Sequence, residues 1–202
     1  MSIKQLNPRM SVLLLFMLAA GILRIILVKA SAGNISPLAN FTPIGAMGLF
    51  GGAYFSRKWK SYVFPLLTLF LSDIVINSMI YHLPLSSVIT YQGWYFTYLA
   101  FAAMVLVGQF MKNVTVTNVL IGAVAAACIH WIISDIGPFL FGTDITTGLP
   151  FEKSFAGFQR CLYLAIPFEL KLFWGNLIYG AIFFGSFELM QRRFPVLAKQ
   201  AL

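Results

Sequence analysis

The fold is decided by residues 40–73, which read NFTPIGAMGLFGGAYFSRKWKSYVFPLLTLFLSD. The first half predicts a short, glycine-rich membrane helix that begins at Thr42-Pro43, because Thr caps helices and Pro fits the first helical position. A basic turn with one arginine and two lysines follows, and then a second apolar span. Asp73 lies near the middle of that span, where a carboxylate is costly and is usually kept for a reason.

The composition indicates an integral membrane protein. Hydrophobic residues make up 59% of the 202 residues and charged residues 10%, whereas a soluble domain carries about 25% charged residues. Backbone polar groups cannot stay unpaired in lipid, so a bundle of helices is the expected architecture. We therefore expect an all-α membrane protein with a single integral membrane domain over residues 1–202.

Six apolar runs predict six membrane spans, most of them close to the roughly 20 residues that cross a bilayer core. They lie at about residues 11–29, 42–56, 62–82, 94–111, 116–140 and 171–190. The second run covers only about 21 Å, so it must tilt little or lie partly inside the bundle. Gly137-Pro138 is expected to end or kink the fifth helix. The longest connection, residues 141–170, is expected to be an ordered cap or re-entrant lid.

The basic residues sort to one side of this six-helix bundle. That side carries Lys4, Arg9, Arg57, Lys58, Lys60, Lys112, Arg192, Arg193 and Lys199. The opposite side carries Lys29, Lys153 and Arg160. The positive-inside rule then places the N-terminus and the C-terminus in the cytoplasm. Topology thus accounts for the net charge of +8, and no nucleic-acid partner is expected.

Two charged residues lie at similar depths in spans one and three. Arg24 and Asp73 are each about a dozen residues from the cytoplasmic side, so their depths differ by a few ångströms at about 1.5 Å per residue. We predict that they form an intramembrane ion pair, because a charge in a bilayer seeks a partner. A structural role is the first interpretation, and proton or ion coupling is the alternative.

Aromatic residues supply much of the outer half, either as an interfacial belt or as the walls of a pocket for a large planar ligand. The polar residues expected to bind such a substrate are Asn77, His82, Tyr91, Asp135 and Arg160, with Gln92 and Glu169 as further candidates. His130 lies in span five, where a lone histidine is more often a packing residue. No HxxxH, HxxE or CxxC spacing occurs, so a dedicated structural metal site is not expected.

Small residues are concentrated in spans one and two. Gly48 and Gly52 form a GxxxG pair, and Ala19, Ala20 and Gly21 are consecutive in span one. Such faces let helices approach closely within a membrane. They serve either packing inside the bundle or docking of a partner membrane protein.

Three segments together resemble small bacterial membrane proteins related to the substrate-binding S components of energy-coupling-factor vitamin transporters. The segments are NFTPIGAMGLFGGAYF (40–55), PLLTLFLSD (65–73) and GFQRCLYLAIPFELKLFWGNLIYGAIFFGSFE (157–188). The resemblance implies a six-helix bundle in the bacterial cytoplasmic (inner) membrane, with an outward pocket roofed by loops. It also implies a partner, a transmembrane coupling subunit with ATPases, that docks on the small-residue faces of spans one and two.

Some members of that family are solitary and are thought to take up cobalamin, with a cysteine or a histidine near the pocket as a cobalt ligand. By this resemblance, His82 or Cys161 is the candidate axial ligand of a corrinoid cobalt. The leading hypothesis is therefore a substrate-capturing component for uptake of a vitamin-like micronutrient. Cobalamin is the candidate bound substrate, and no intrinsic cofactor is expected.

Two alternatives stay open. The first is a membrane-embedded enzyme that modifies a lipid or a bound corrinoid, with Cys161, His82 and His130 as its candidate residues. No nucleophile–base spacing and no Walker signature is visible, so the chain is more consistent with a binding protein than with an enzyme or a motor. The second alternative is a structural protein whose glycine-rich helix binds a membrane partner.

Overall fold

The computed structural model describes residues 7–31, 41–86 and 92–198, and within these ranges the regular structure is helical. The helices are α1 (Pro8–Ser31), α2 (Ile44–Tyr54), α3 (Lys58–Val75), α4 (Trp94–Phe110), α5 (Val116–Ser134), α6 (Ile136–Phe141) and α7 (Phe155–Arg193). A π-helical turn, Ile76–Ile80, continues α3, and a 3-10 turn, Pro195–Leu197, follows α7. The all-α fold class is thus confirmed for the described residues.

Four helical segments are long and apolar enough to cross a membrane. They are Pro8–Ser31, Lys58–Ile80, Val116–Phe141 and Phe155–Arg193. Helices α2 and α4 are apolar but shorter, with 11 and 17 residues. The structure therefore supports a helical membrane protein.

Helix α2 is the central helix of the bundle. Each of its residues except Ala53 is buried. The aromatic ring of Phe50 packs against Phe16 of α1 at 5.2 Å and against Phe184 of α7 at 5.4 Å between ring centroids. A helix that touches protein on all sides has no need to match the bilayer thickness, which explains why this short one is stable. The expectation that it lies inside the bundle is confirmed.

The GxxxG pair of α2 packs against α4. A Cβ atom on Gly52 would lie 2.2 Å from the carbonyl oxygen of Val105, and one on Gly108 would lie 2.2 Å from that of Leu49. Only glycine permits backbones to approach this closely. In α1, a Cβ on Gly21 would meet the Thr68 side chain at 2.8 Å. The small-residue faces of both helices therefore serve packing inside this protein.

The start of α2 differs from the prediction. Pro43 is the N-cap residue, and no side chain caps the helix. Thr42 is buried instead, and its backbone packs against α7, where a Cβ on Gly175 would lie 3.0 Å from the Thr42 carbonyl oxygen. The predicted Thr42 cap is wrong because tertiary packing against α7 sets the position of this residue.

Helix α7 is much longer than the predicted last span. It has 39 residues and begins at Phe155, where the Ser154 hydroxyl accepts a hydrogen bond from the Gly157 amide at 3.1 Å. Residues 155–170 of the expected cap or lid are thus helical, and only residues 142–154 form a loop. The fifth span breaks at Asp135, which separates α5 from α6, and Pro138 lies inside α6.

The two ends of the bundle differ in chemistry. We call the end that carries the 142–154 loop the loop end. The opposite end, where Arg9, Lys58 and Lys112 line one cavity, is the basic end.

Candidate functional site

A histidine and a glutamate from neighbouring helices form the centre of a polar cluster near the loop end. The Nδ1 atom of His130 in α5 lies 3.2 Å from the Oε2 atom of Glu169 in α7. Their side chains are only 11% and 15% exposed, and the His130 ring packs edge-on against Phe101 at 4.9 Å. A polar pair in an apolar setting fixes α5 against α7, because either residue alone would be left without a partner.

Asp135 lies at the corner between α5 and α6, close enough to Glu169 for their charges to interact. The residue is 8% exposed, and its Oδ2 atom has no hydrogen-bond partner among the described residues. The Sγ atom of Cys161 in α7 donates to the Asp135 carbonyl oxygen at 3.7 Å. The main chain of Asp135 is thus held in place while its carboxylate stays available to a donor.

Close backbone packing holds this corner against the start of α4. Gly93, with φ +87°, adopts a left-handed conformation that glycine tolerates best. A Cβ on Gly93 would lie 2.9 Å from the Cα atom of Gly137. On the α7 side, Trp131 donates its indole N–H to the Leu162 carbonyl oxygen at 3.1 Å. The Asp135 corner is therefore positioned by both neighbouring helices.

The 142–154 loop is ordered by an ion pair between Asp144 and Arg160. The Arg160 guanidinium donates to the Asp144 carboxylate and also to the Thr146 hydroxyl, the latter at 2.7 Å. The backbone and the hydroxyl of Thr146 donate to the other carboxylate oxygen at 2.7 and 2.6 Å. The hydrogen bond from Arg160 holds the pKa of Asp144 well below its usual range, and the Thr146 hydroxyl adds to this effect. Arg160 thus shapes the loop.

The predicted partners Arg24 and Asp73 are in contact. Nη2 of Arg24 lies 2.6 Å from Oδ1 of Asp73, and the side chains are 17% and 19% exposed. Arg24 also donates to the Ser72 hydroxyl at 2.5 Å, and Tyr98 of α4 donates to Oδ2 of Asp73 at 2.8 Å. These contacts link α1, α3 and α4.

The other candidate residues lie near the end of α3 or outside the described part of the chain. Asn77 is half-buried in the π-helical turn, a feature that is frequent at functional sites. His82 is exposed, with φ +53°, a left-handed conformation that is uncommon for a residue with a side chain. Tyr91 lies outside the described residues.

The structure brings only some of the candidate residues together. No hydrogen bond or ion pair between described residues joins any two of Asn77, His82, Asp135 and Arg160. The sequence predicts the Arg24–Asp73 pair, but not the contact of Tyr98 with Asp73, the Arg160–Asp144 pair or the His130–Glu169 pair. The predicted last span begins at residue 171 and so leaves Glu169 outside it, and for this reason the sequence does not indicate that Glu169 pairs with His130. An α7 that begins at Phe155 places Glu169 inside a membrane helix, where it needs a partner.

The described residues contain no cluster of metal-ligating side chains. Nowhere in them do three or more His, Cys, Asp or Glu side chains form a group that could hold a metal ion. The Cys161 thiol is buried and contacts a backbone oxygen. What the cluster offers a ligand is hydrogen-bond acceptance by carboxylate oxygens.

Comparison with known proteins identifies the family of this chain. Residues 4–197 match the model of a family described as "family of unknown function (DUF6580)". The chain belongs to the DUF6580 family. No curated protein and no solved structure matches this DUF6580 protein. The His130–Glu169 pair, Asp135 and the Arg24–Asp73–Tyr98 network all lie within the matched residues.

Proposed function

We propose that this protein is a substrate-capturing membrane component for uptake of a vitamin-like micronutrient. It crosses a bacterial inner membrane six times, with its basic end in the cytoplasm and its loop end outside. The orientation is supported by Arg9, Lys58 and Lys112, which come from separate turns and line one cavity at the basic end. Positive residues of short loops are retained on the cytoplasmic side.

The observation that carries the proposal is the buried Oδ2 atom of Asp135, which has no partner among the described residues and lies within electrostatic reach of Glu169. A carboxylate oxygen in an apolar setting is costly without a donor. A substrate with N–H groups supplies that donor. Substrate binding at the loop end would then satisfy Asp135.

A corrinoid is the substrate we propose to test first, in line with the resemblance to vitamin-transport S components. The edge of a corrin ring carries carboxamide groups that can donate to Asp135, and its cobalt accepts one imidazole. His82 is exposed and can reach a ligand, whereas Cys161 is buried. We therefore favour His82 over Cys161 as the axial ligand. Passage across the membrane would require a coupling partner with ATPases or a movement of the protein.

The test is to purify the protein from cells supplied with cobalamin and to record the visible spectrum and the cobalt content. We expect a stoichiometric corrinoid band that shifts in His82→Ala. We also expect Asp135→Leu to lower the bound cobalt at least tenfold, because one buried hydrogen bond to a charged group is lost. Glu152→Gln, an exposed loop change, is the matched carboxylate control and should bind normally.

A colourless, cobalt-free protein that also fails to bind added cobalamin would overturn the corrinoid proposal. Retained binding in Asp135→Leu would show that Asp135 does not bind the substrate, and the proposed site would be rejected. A bound corrinoid whose spectrum is unchanged in His82→Ala would reject His82 as the cobalt ligand while leaving the substrate class in place.

A further inference from the structure

The basic end of the bundle contains a polar cavity that the proposed uptake function does not use. Its volume is about 620 Å³. It is bounded by the start of α1, the end of α2, the start of α3, the turn between α4 and α5, and the end of α7. The charged residues in its wall are Arg9, Lys58, Lys112 and Glu188.

The one carboxylate in this wall is already committed. Glu188 accepts a hydrogen bond from the Tyr54 hydroxyl at 2.5 Å and another from the Gln191 amide at 3.1 Å. Arg9 donates to the carbonyl oxygens of Leu197 and Tyr54 at 2.6 and 3.1 Å. It thereby joins the start of α1 to the Pro195–Leu197 turn and to the end of α2, and its charge lies in the wall of the cavity.

Neither lysine of the wall is neutralised by a neighbour. The ion pairs within the described residues join Arg24 to Asp73, His130 to Glu169 and Arg160 to Asp144, all away from this cavity. Lys58 and Lys112 thus face the same space with uncompensated charge. With Arg9 counted against Glu188, the wall has a net charge of two positive units from these four residues.

The amino terminus of α3 adds a hydroxyl and a dipole to this cavity. Helix α3 begins at Lys58, and no side chain caps it. Ser61, in the first turn, is 0% exposed and lines the cavity. Its Oγ atom has no hydrogen-bond partner among the described residues. The positive end of a helix together with an unpaired hydroxyl and lysines is the kind of surroundings that binds phosphate.

We propose that this cavity binds a phosphate group, with Lys58, Lys112 and Ser61 as its ligands. A phosphate has several acceptor oxygens, so it can meet two ammonium groups and a hydroxyl at once. The positive-inside rule explains why cations lie at this end. The rule does not explain why the buried Ser61 hydroxyl, in the wall of the same cavity, has no hydrogen-bond partner among the described residues.

Two sources of that phosphate have the same chemistry. One is the phosphodiester headgroup of an anionic membrane lipid, since the cavity opens at the end where headgroups lie. The other is a soluble phosphate compound of the cytoplasm. The inference rests on the proposed function only for the orientation of the basic end, which Lys58 and Lys112 also support there. It uses none of the residues proposed to bind the transported substrate, so the two proposals can fail separately.

The experiment measures thermal unfolding of the full-length protein in detergent with two probes. The first is inorganic phosphate, compared with chloride at equal ionic strength. The second is phosphatidylglycerol in mixed micelles, compared with zwitterionic phosphatidylcholine. Native mass spectrometry of the same samples counts phospholipid that stays bound through purification. We expect at least one probe to raise the Tm by several degrees in a saturable manner.

The variants are Lys58→Gln and Ser61→Ala, with Lys60→Gln as the matched control. Lys60 belongs to the same helical turn but does not line this cavity. We expect the probe concentration at half-maximal shift to rise about tenfold in each cavity variant, as for loss of one hydrogen bond to a charged group, and to stay unchanged in the control. If Ser61→Ala fails to fold, Lys112→Gln, in the exposed turn after α4, replaces it.

A response to phosphatidylglycerol alone, or its retention in the mass spectrum, identifies a lipid headgroup. A response to inorganic phosphate alone identifies a soluble phosphate ligand. The proposal is overturned if neither probe exceeds its reference and no phospholipid is retained. It is also overturned if the cavity variants respond as the unaltered protein does.

Discussion

Arg24 of α1 and Asp73 of α3 form an ion pair in which Nη2 lies 2.6 Å from Oδ1. Both side chains are more than four-fifths covered. Ser72 accepts a hydrogen bond from Arg24, and Tyr98 donates one to Asp73. The pair is therefore supported by hydrogen bonds from neighbouring helices, which favours a structural role.

Breaking this pair from one side is expected to destabilise the protein. Arg24→Leu or Asp73→Leu leaves the partner charge poorly compensated, and the cost should lie between about 1 kcal/mol for an exposed pair and about 4 kcal/mol for a buried one. Thermal unfolding in detergent measures this cost. The Arg24→Leu, Asp73→Leu double variant should recover part of the loss. If the two single losses simply add, the residues are not coupled.

The same pair provides the test of proton or ion coupling. Asp73→Asn keeps the shape and the hydrogen bond from Tyr98 but removes the charge. For a structural pair, we expect uptake by the folded variant to keep its pH dependence. Uptake that becomes independent of pH in Asp73→Asn, at unchanged protein level, would favour coupling.

The glycine face of α2 is expected to act through folding. Gly52→Ala brings a Cβ to 2.2 Å from the Val105 carbonyl oxygen, so helices α2 and α4 must separate and the variant should lose about 2 kcal/mol or more. Gly185→Ala in α7 is the matched control, because a Cβ there meets nothing within 4 Å. The control should be neutral or more stable by up to about 1 kcal/mol.

A different result would indicate that the glycine face of α2 binds a partner protein. Gly52→Ala would then have an unchanged Tm in detergent and fail only to assemble with a membrane partner. Comparison of the Tm with co-purification of the partner separates the two roles.

The His130–Glu169 pair is expected to hold α5 against α7. Glu169→Leu leaves His130 without its partner and should cost about 1–3 kcal/mol, whereas Glu169→Gln keeps an acceptor oxygen and should cost less. Thermal unfolding of the two variants, with Glu152→Gln as an exposed control, shows which of them is less stable. Equal stabilities for Glu169→Leu and Glu169→Gln would show that the hydrogen bond contributes nothing.

The 142–154 loop is expected to loosen in acid. The Arg160 hydrogen bond lowers the pKa of Asp144 below its ordinary value, which is about 3.9 in an unfolded chain. The stabilising effect is therefore complete above about pH 4. It is lost as the pH falls further, through the folded-state pKa, because protonation removes the charge that Arg160 binds.

Limited proteolysis or hydrogen exchange of this loop at pH 6 and pH 3 checks that expectation. Asp144→Asn should loosen the loop already at pH 6 and abolish the difference between the two conditions. High salt should weaken the effect in the unaltered protein, because half of the Arg160 side chain is exposed. A loop equally protected at both pH values would contradict the account.

Prediction from sequence succeeded where a local rule applied. The apolar runs predicted helices because backbone groups must pair in lipid. The depths of Arg24 and Asp73 predicted their pairing, since a charge in a membrane helix needs a partner at its own level. The prediction failed at Thr42 and at the start of α7, where packing against Gly175 and capping by Ser154 decide the backbone.

By itself, the sequence determined the helical class, the separation of a basic end from a loop end, and one partly buried ion pair. Only the tertiary structure decided that α2 is central, that His130 meets Glu169, and that the hydroxyl of Ser61 lies in a cationic cavity. The physical reason is that lipid and protein interior are equally apolar. Hydrophobicity therefore identifies which residues leave water, and only the packing of helices decides which of them meet.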